Sequence, residues 1–179
     1  MAISDSRGGV HNSRGIDPLK AIRYKERSGT VVGMPGASRL SNDDLLTLKC
    51  DILIPAALEN SITLHNVDQI KAKIVAEAAN GPTTPHADEV LARKGIFMLP
   101  DILANAGGVT VSYFEWAQDL QGYFWQENEV NSRLEMVMKR AFQDVHETMR
   151  KYHTHMRAAA YILAVGRVSE ATLVRGLFP

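Results

Sequence analysis

Four short, nearly continuous apolar runs, TVVGMP (30–35), CDILIPAA (50–57), AKIVAEAAN (72–80) and KGIFMLPD (94–101), are separated by helix-like segments in the first 105 residues. A strand with one wet face alternates apolar and polar residues, whereas a strand covered on both faces is apolar throughout. β-type runs with helical segments between them are the pattern of βα units. The fold class read from the sequence is therefore α/β, a mostly parallel sheet flanked by helices. Turn chemistry marks the boundaries. Asp17-Pro18 reads as an N-cap followed by proline at the first helical position, in a segment running to Ser28-Gly29. Ser41 with Asp44 reads as a capping pair before Leu45 and Leu46, and Thr84-Pro85 repeats the cap-proline device.

From Asn105 onward the alternation stops and three helical segments follow. Val130, Leu134, Val137, Met138, Ala141, Phe142, Val145 and Met149 recur at spacings of three and four, which places one apolar stripe along a long helix. The last segment, MRAAAYILAVGRVSEATLVRG, carries alanines that permit close approach to a neighbour, with Gly176 as its stop. The expected division is residues 1–125 as the α/β domain and 126–179 as C-terminal helices packing on it.

Composition narrows the partners. Lys+Arg and Asp+Glu each number 20 in 179 residues, so no net field draws the chain to nucleic acid or an anionic membrane. The single cysteine, Cys50, cannot close an intramolecular disulfide and reads as a small core residue. No signal-peptide pattern or membrane-length apolar run occurs, and the expected location is cytoplasmic. The six histidines lack metal-ligand spacing, so no metal site is expected.

In an open parallel sheet, ligands bind beyond the carboxyl ends of the strands. Four such ends carry small or polar residues: SDSRGG, PAALEN, AEAANGPTT and PDILANAGG. Alanine and glycine admit a flat ring or a phosphate to the backbone, and asparagine offers a donor and an acceptor in one plane. Asp5 reads either as an acceptor for ribose hydroxyls or as a turn residue before Gly8-Gly9; Arg7 beside it reads as a contact for a 2′-phosphate, which leaves NAD and NADP both open. Asn80 and Asn105 each read as a turn residue or a ligand contact. On a helix starting near Asn105, positions 105, 108, 109 and 112 share a face, so Ser112 is expected on the same side as Asn105 across the gap left by Gly108. Tyr113, Phe114 and Trp116 read as packing residues. Glu77 lies in a buried-type run, where a carboxylate needs a partner.

At these residues the sequence resembles hexameric-type glutamate dehydrogenases of the Glu/Leu/Phe/Val dehydrogenase superfamily. The matching stretches are SDSRGGV, CDILIPAALEN, IVAEAANGPTTP, PDILANAGGVTVSYFEW and AAYILAVGRVSEATLVRG, which together run along nearly the whole chain. The resemblance implies a Rossmann-like domain and the reversible, NAD(P)-dependent oxidative deamination of glutamate to 2-oxoglutarate and ammonia. It implies that Asp5 and Ser6 lie at the adenosine ribose and that Ala56 and Ala57 wall the cofactor. It further places Asn80 beside the nicotinamide ribose, Asn105 on the nicotinamide carboxamide and Ser112 on the substrate's side-chain carboxylate.

The family also has an N-terminal substrate domain with a glycine-flanked catalytic lysine and an acidic proton-transfer residue, and a GxGxxG phosphate turn. None of these is matched, and Met1-Ala2-Ile3 reads as a remnant of the second strand. The expectation is an incomplete Rossmann-like domain that supplies the cofactor side, contains no catalytic residue and is inactive alone. Its partners are expected to be dehydrogenase subunits in a homo- or hetero-oligomer. The alternatives are a non-catalytic truncated paralogue that binds and regulates a full-length hexamer, and a true start lying upstream.

Overall fold

The computed structural model describes residues 1–176. By their internal contacts these residues form two compact units. Unit 1 comprises Met1–Leu53, Asn60–Val75 and Thr83–Ile96; unit 2 comprises Ile54–Glu59, Ala76–Pro82 and the chain from Phe97 onward.

Unit 1 opens with a hairpin. Strands β1 (Ala2–Asp5) and β2 (Gly8–His11) pair antiparallel, with Ile3 opposite Val10 and Asp5 opposite Gly8. Gly8 has φ +134°, a conformation from which a side chain is excluded. Helix α1 (Pro18–Ser28) has the expected caps: the Asp17 carboxylate accepts from the N–H groups of Leu19 and Lys20, Pro18 occupies the first turn, and Gly29 is left-handed. Strand β3 (Ser38–Leu40) pairs antiparallel with β2. Val10, Ile16, Ala21 and Val31 form the core here, with Ile3, Met34 and Ala37 against it. Helix α2 (Asn42–Leu46) carries the reciprocal capping box of Ser41 and Asp44.

Two expectations change in this region. TVVGMP is a chain of turns, and the strands around it are antiparallel. The cause is where its donors go: the N–H of Val31 bonds the Asp5 carboxylate at 2.7 Å, that of Val32 bonds the Thr30 hydroxyl at 3.2 Å, and that of Met34 turns back to the Val31 carbonyl. Three of the run's five N–H donors are thereby taken by side chains or by a turn. MAI likewise enters an antiparallel pair with β2.

The parallel sheet follows, in the order β4 (Ile52–Leu53), β5 (Ile74–Ala76) and β6 (Phe97–Leu99). β4 and β5 are parallel, with Leu53 opposite Val75, and both residues are buried. The expectation of cover on both faces fails for β4, an edge strand: Ile52 and Ile54 are 55% and 59% exposed. Also in unit 1, a 3₁₀ turn (Val67–Gln69) is tied down by Lys94, whose Nζ donates to the carbonyls of Val67, Asp68 and Ile70. Helix α3 (Pro85–Arg93) starts at Thr84, whose N–H bonds the Ile62 carbonyl; its side chain makes no cap bond.

Unit 2 carries the short helix α4 (Asp101–Ala104), then α5 (Ala106–Gln121), α6 (Glu127–Lys151) and α7 (Met156–Arg175). The α6 stripe is inward along most of its length: Val145 is buried, and Ala141 and Met149 pack on a core of Leu103, Val145, Met156, Ala159 and Ala160. Val137 and Phe142, at the margins of the stripe, are exposed. Ala159 and Ala160 of α7 are buried, as close helix approach requires. Of the three aromatic residues early in α5, Phe114 is buried against Trp125, whereas Tyr113 and Trp116 are each 59% exposed. Of these expected packing residues Phe114 alone is buried; Tyr113 and Trp116 lie on another face of the helix and pack against each other, ring centroids 5.9 Å apart.

Candidate functional site

Unit 2 gathers three chain turns that follow parallel strands. After β4, Pro55 leads to Ala56 and Ala57, both exposed. After β5, residues Glu77 to Gly81 run alongside: the N–H groups of Ala78 and Ala79 both donate to the Pro55 carbonyl, at 3.1 and 3.0 Å. After β6, Pro100 leads into α4, and Asn105 ends it. Asn105 donates from Nδ2 to Oδ1 of Asn80 at 2.6 Å. Five of the expected site residues, Ala56, Ala57, Asn80, Asn105 and Ser112, therefore lie in one unit, and two of them touch.

A carboxamide has two donors and one acceptor oxygen. The bond between the two asparagines uses one N–H of Asn105 and one lone pair of Asn80, which leaves the Asn80 amide as donor and the Asn105 carbonyl as acceptor. That remaining pair complements another primary carboxamide.

The surface beside it is bare. Ideal Cβ atoms built on Gly107 and Gly108 meet nothing closer than Leu134 Cδ1 at 3.9 Å for Gly107, and nothing within 4 Å for Gly108. Neither glycine has positive φ among the described residues. Glycine in a helix costs about 1 kcal/mol relative to alanine, and here neither backbone strain nor internal packing calls for it. Space above the helix does. Ser112 lies one turn on, exposed, with Oγ donating to the Gly108 carbonyl at 3.2 Å.

Beneath the amide pair is an ion network that the sequence reading left incomplete. Glu77, fully buried, is partnered by Arg157 of α7: Nη2 donates to Oε2 at 2.6 Å. Arg157 Nη1 donates to Asp101 Oδ1 at 3.0 Å, and the Asp101 N–H donates to Glu77 Oε2 at 2.8 Å. Asp101 Oδ2 accepts the Gly81 N–H at 2.8 Å. Burial pushes the Asp101 carboxyl up, but the N–H groups of Gly81 and Ile102 and the Arg157 guanidinium outweigh it and hold it below the ordinary 3.8. Arg157 and Asp101 were missed as site residues. The available signal was Glu77 itself, a carboxylate in a buried run, but its partner lies 80 residues away.

Unit 1 holds Asp5 and Ser6. Asp5 Oδ1 accepts the Arg7 N–H at 2.9 Å and the Thr30 hydroxyl at 3.1 Å, while Oδ2 accepts the Val31 N–H. Burial raises this carboxyl, and the donors from Arg7, Val31 and Thr30 with the charge of Lys25 bring it below 3.8. Asp5 thus organises its own turn and keeps a free lone pair on Oδ2. Ser6 and Arg7 line a cavity of about 500 Å³ with Arg39, Leu40, Ser41 and Asn42. Among the described residues no cluster of three or more His, Cys, Asp or Glu could hold a metal, and no helix is long and apolar enough to cross a membrane.

Comparison with known proteins adds a lineage. The model of the Glutamate/Leucine/Phenylalanine/Valine dehydrogenase family matches residues 1–176. A glutamate dehydrogenase of Thermotoga maritima is 58% identical over 179 residues, which cover 100% of this chain and 43% of that protein. An NAD-specific glutamate dehydrogenase of Clostridioides difficile is 47% identical, covering 98% of this chain and 42% of its own length. Among solved structures, the hetero-hexameric glutamate dehydrogenase of Thermus thermophilus in a leucine-bound form superposes with a TM-score of 0.92 at 31% identity, over 100% of this chain and 42% of that one. The chain spans less than half the length of the relatives it matches.

Proposed function

The chain belongs to the Glutamate/Leucine/Phenylalanine/Valine dehydrogenase family, and from that premise we propose that it supplies the cofactor side of a glutamate dehydrogenase. The reaction is the reversible, NAD- or NADP-dependent oxidative deamination of glutamate to 2-oxoglutarate and ammonia. The observation that carries the reading is the contact of Asn80 with Asn105 beside the uncovered surface of Gly108.

Nicotinamide, when bound, supplies the acceptor for the hydride leaving the amino-bearing carbon. The chain's own residues bind and orient. The free donor of Asn80 and free acceptor of Asn105 engage the ring's carboxamide and so fix its rotation. Gly107 and Gly108 let the ring lie against the helix, and Ala56 and Ala57 leave the backbone approachable along the nucleotide. Ser112 presents a hydroxyl toward the substrate's far carboxylate, while Asp5 and Ser6 serve the adenosine ribose. Holding both reactants at attack distance can remove about 7–11 kcal/mol of a barrier. Groups that move protons at the substrate fall to the substrate domain of a full-length subunit. The chain alone is therefore expected to bind NADH or NADPH without turnover, in a cytoplasmic setting.

Isothermal titration with NADH and NADPH, beside a glutamate oxidation assay, tests this. Saturable binding with no turnover is expected; absence of binding to both nucleotides would overturn the cofactor assignment, and turnover above a mock preparation would overturn the expected inactivity.

A second reading, a non-catalytic paralogue that docks on a full-length hexamer and regulates it, draws support from α7, where Val165, Val168, Leu173 and Val174 are 62% to 82% exposed. Native mass spectrometry of the chain mixed with a full-length glutamate dehydrogenase is its test, and the reading fails if no mixed species forms.

A further inference from the structure

We propose that Arg157 is a positioning residue for the Asn80–Asn105 amide pair: by bridging Glu77 and Asp101 it fixes the two turns from which the amides meet. The inference rests on the cofactor reading above for the purpose of the pair, and on the network alone for the positioning.

Asp101 is the junction. Its Oδ2 receives the N–H of Gly81, the residue directly after Asn80, and its backbone carbonyl receives the N–H of Asn105 at 3.0 Å. One residue thus touches the chain at both asparagines. Gly81 has φ +54° and an ideal Cβ there meets nothing within 4 Å, so sterics do not hold the turn. The bond to Asp101 does. Asp101 in turn is oriented by the Ile102 N–H and by Arg157, which both donate to Oδ1, while Oδ2 accepts from Gly81. Glu77 completes the frame by accepting from both Arg157 and the Asp101 N–H through Oε2; its Oε1 is buried and makes no hydrogen bond among the described residues. Both of these side-chain bonds enter through one oxygen, while the Glu77 N–H donates to the Leu99 carbonyl.

The planar guanidinium presents two nitrogens at a fixed spacing, one to each carboxylate. A lysine ammonium in this position is a point charge on a flexible stem and lacks that fixed spacing. The arrangement also links the docking of α7 to the geometry of the amide pair, since Arg157 lies in the first turn of that helix, two residues before the buried Ala159.

The test uses the 179-residue chain and the variants Arg157→Lys, which keeps the charge, and Asp101→Asn, which keeps an oxygen for Gly81. The side-chain amide resonances of Asn80 and Asn105 and the hydrogen exchange of the Gly81 N–H are followed by NMR without nucleotide. In Arg157→Lys both amide pairs shift, and Gly81 exchanges about tenfold faster, the scale of one charge-assisted bond. The amides of Val145, Ala159 and Ala160 stay as they were. Unmoved asparagine signals, or a change spread evenly through α6 and α7, would overturn the proposal by making Arg157 merely structural. If Arg157→Lys does not fold, Asp101→Asn decides: displaced Asn105 and Asn80 signals support positioning and unchanged signals refute it. NADH and ADP-ribose titrations separate the two claims. A loss of about tenfold in NADH affinity with ADP-ribose binding retained is expected, whereas a parent chain that binds neither nucleotide while the variant signals still move defeats the cofactor reading and leaves the positioning intact.

Discussion

Asp5 and Glu77 both sit where a strand gives way to a turn, yet they are held in opposite ways. Asp5, at the end of β1 in unit 1, draws its donors from its own turn and from a segment 25 or 26 residues on, and it stays partly in contact with solvent. Glu77, after β5 in unit 2, is fully buried and depends on Asp101 and on an arginine 80 residues away. The first combines its own turn with one segment across α1; the second rests on tertiary packing alone. The asparagine pair belongs to the second kind, so its geometry depends on a helix remote in sequence.

The sharpest way to break this contrast is truncation. Glu77→Ala leaves the Arg157 guanidinium without its buried partner and is expected to lower unfolding free energy by about 3–5 kcal/mol, whereas Asp5→Ala, near solvent, is expected to cost about 1–2 kcal/mol. Urea denaturation of the two variants measures both, and equal losses would erase the distinction. Next in size is Gly8→Ala. At φ +134° a side chain is strained, and a thermal melt should show a loss of about 1–3 kcal/mol.

Acid sharpens the comparison further. Asp5 and Asp101 are both held below 3.8 in the folded chain. A carboxyl whose folded value is depressed contributes stability that is complete above its ordinary value and is lost as pH falls through the folded one. Unfolding free energy should therefore decline below pH 3.8, with Asp101→Asn flattening the decline reported by amides of unit 2 and Asp5→Asn flattening that of unit 1. A decline unaltered by either variant contradicts the assignment. The smallest stability effect has the opposite sign: Gly108→Ala should gain about 0.5–1 kcal/mol in a melt while weakening NADH binding, because the added methyl enters the space kept for the ring.

Much of this contrast follows from what a sequence can carry. The caps of α1 were legible because they act locally: Asp17 accepts from the N–H groups two and three residues on, Pro18 fits the first turn, and the Gly29 N–H donates to the Lys25 carbonyl four residues back. The capping box at Ser41 and Asp44 and the α6 stripe are local in the same sense. TVVGMP reads as a strand because its side chains are apolar, but the fate of Val31's N–H is decided by Asp5, across α1. For the candidate site, the asparagines at the strand tips marked two turns that the fold brings into contact, and the family resemblance supplied the roles proposed for them. Arg157 was out of reach: one arginine in an alanine-rich helix carries no local mark of the carboxylates it joins.

The central claim is that the two asparagine amides receive a nicotinamide. Its most direct measurement is an NMR titration of the chain with NADH and, separately, with ADP-ribose, following the side-chain NH₂ signals of Asn80 and Asn105. The account predicts saturable shifts of both signals with NADH and none with ADP-ribose, which lacks the ring. Signals that ignore NADH, or that move alike with the two ligands, would contradict it.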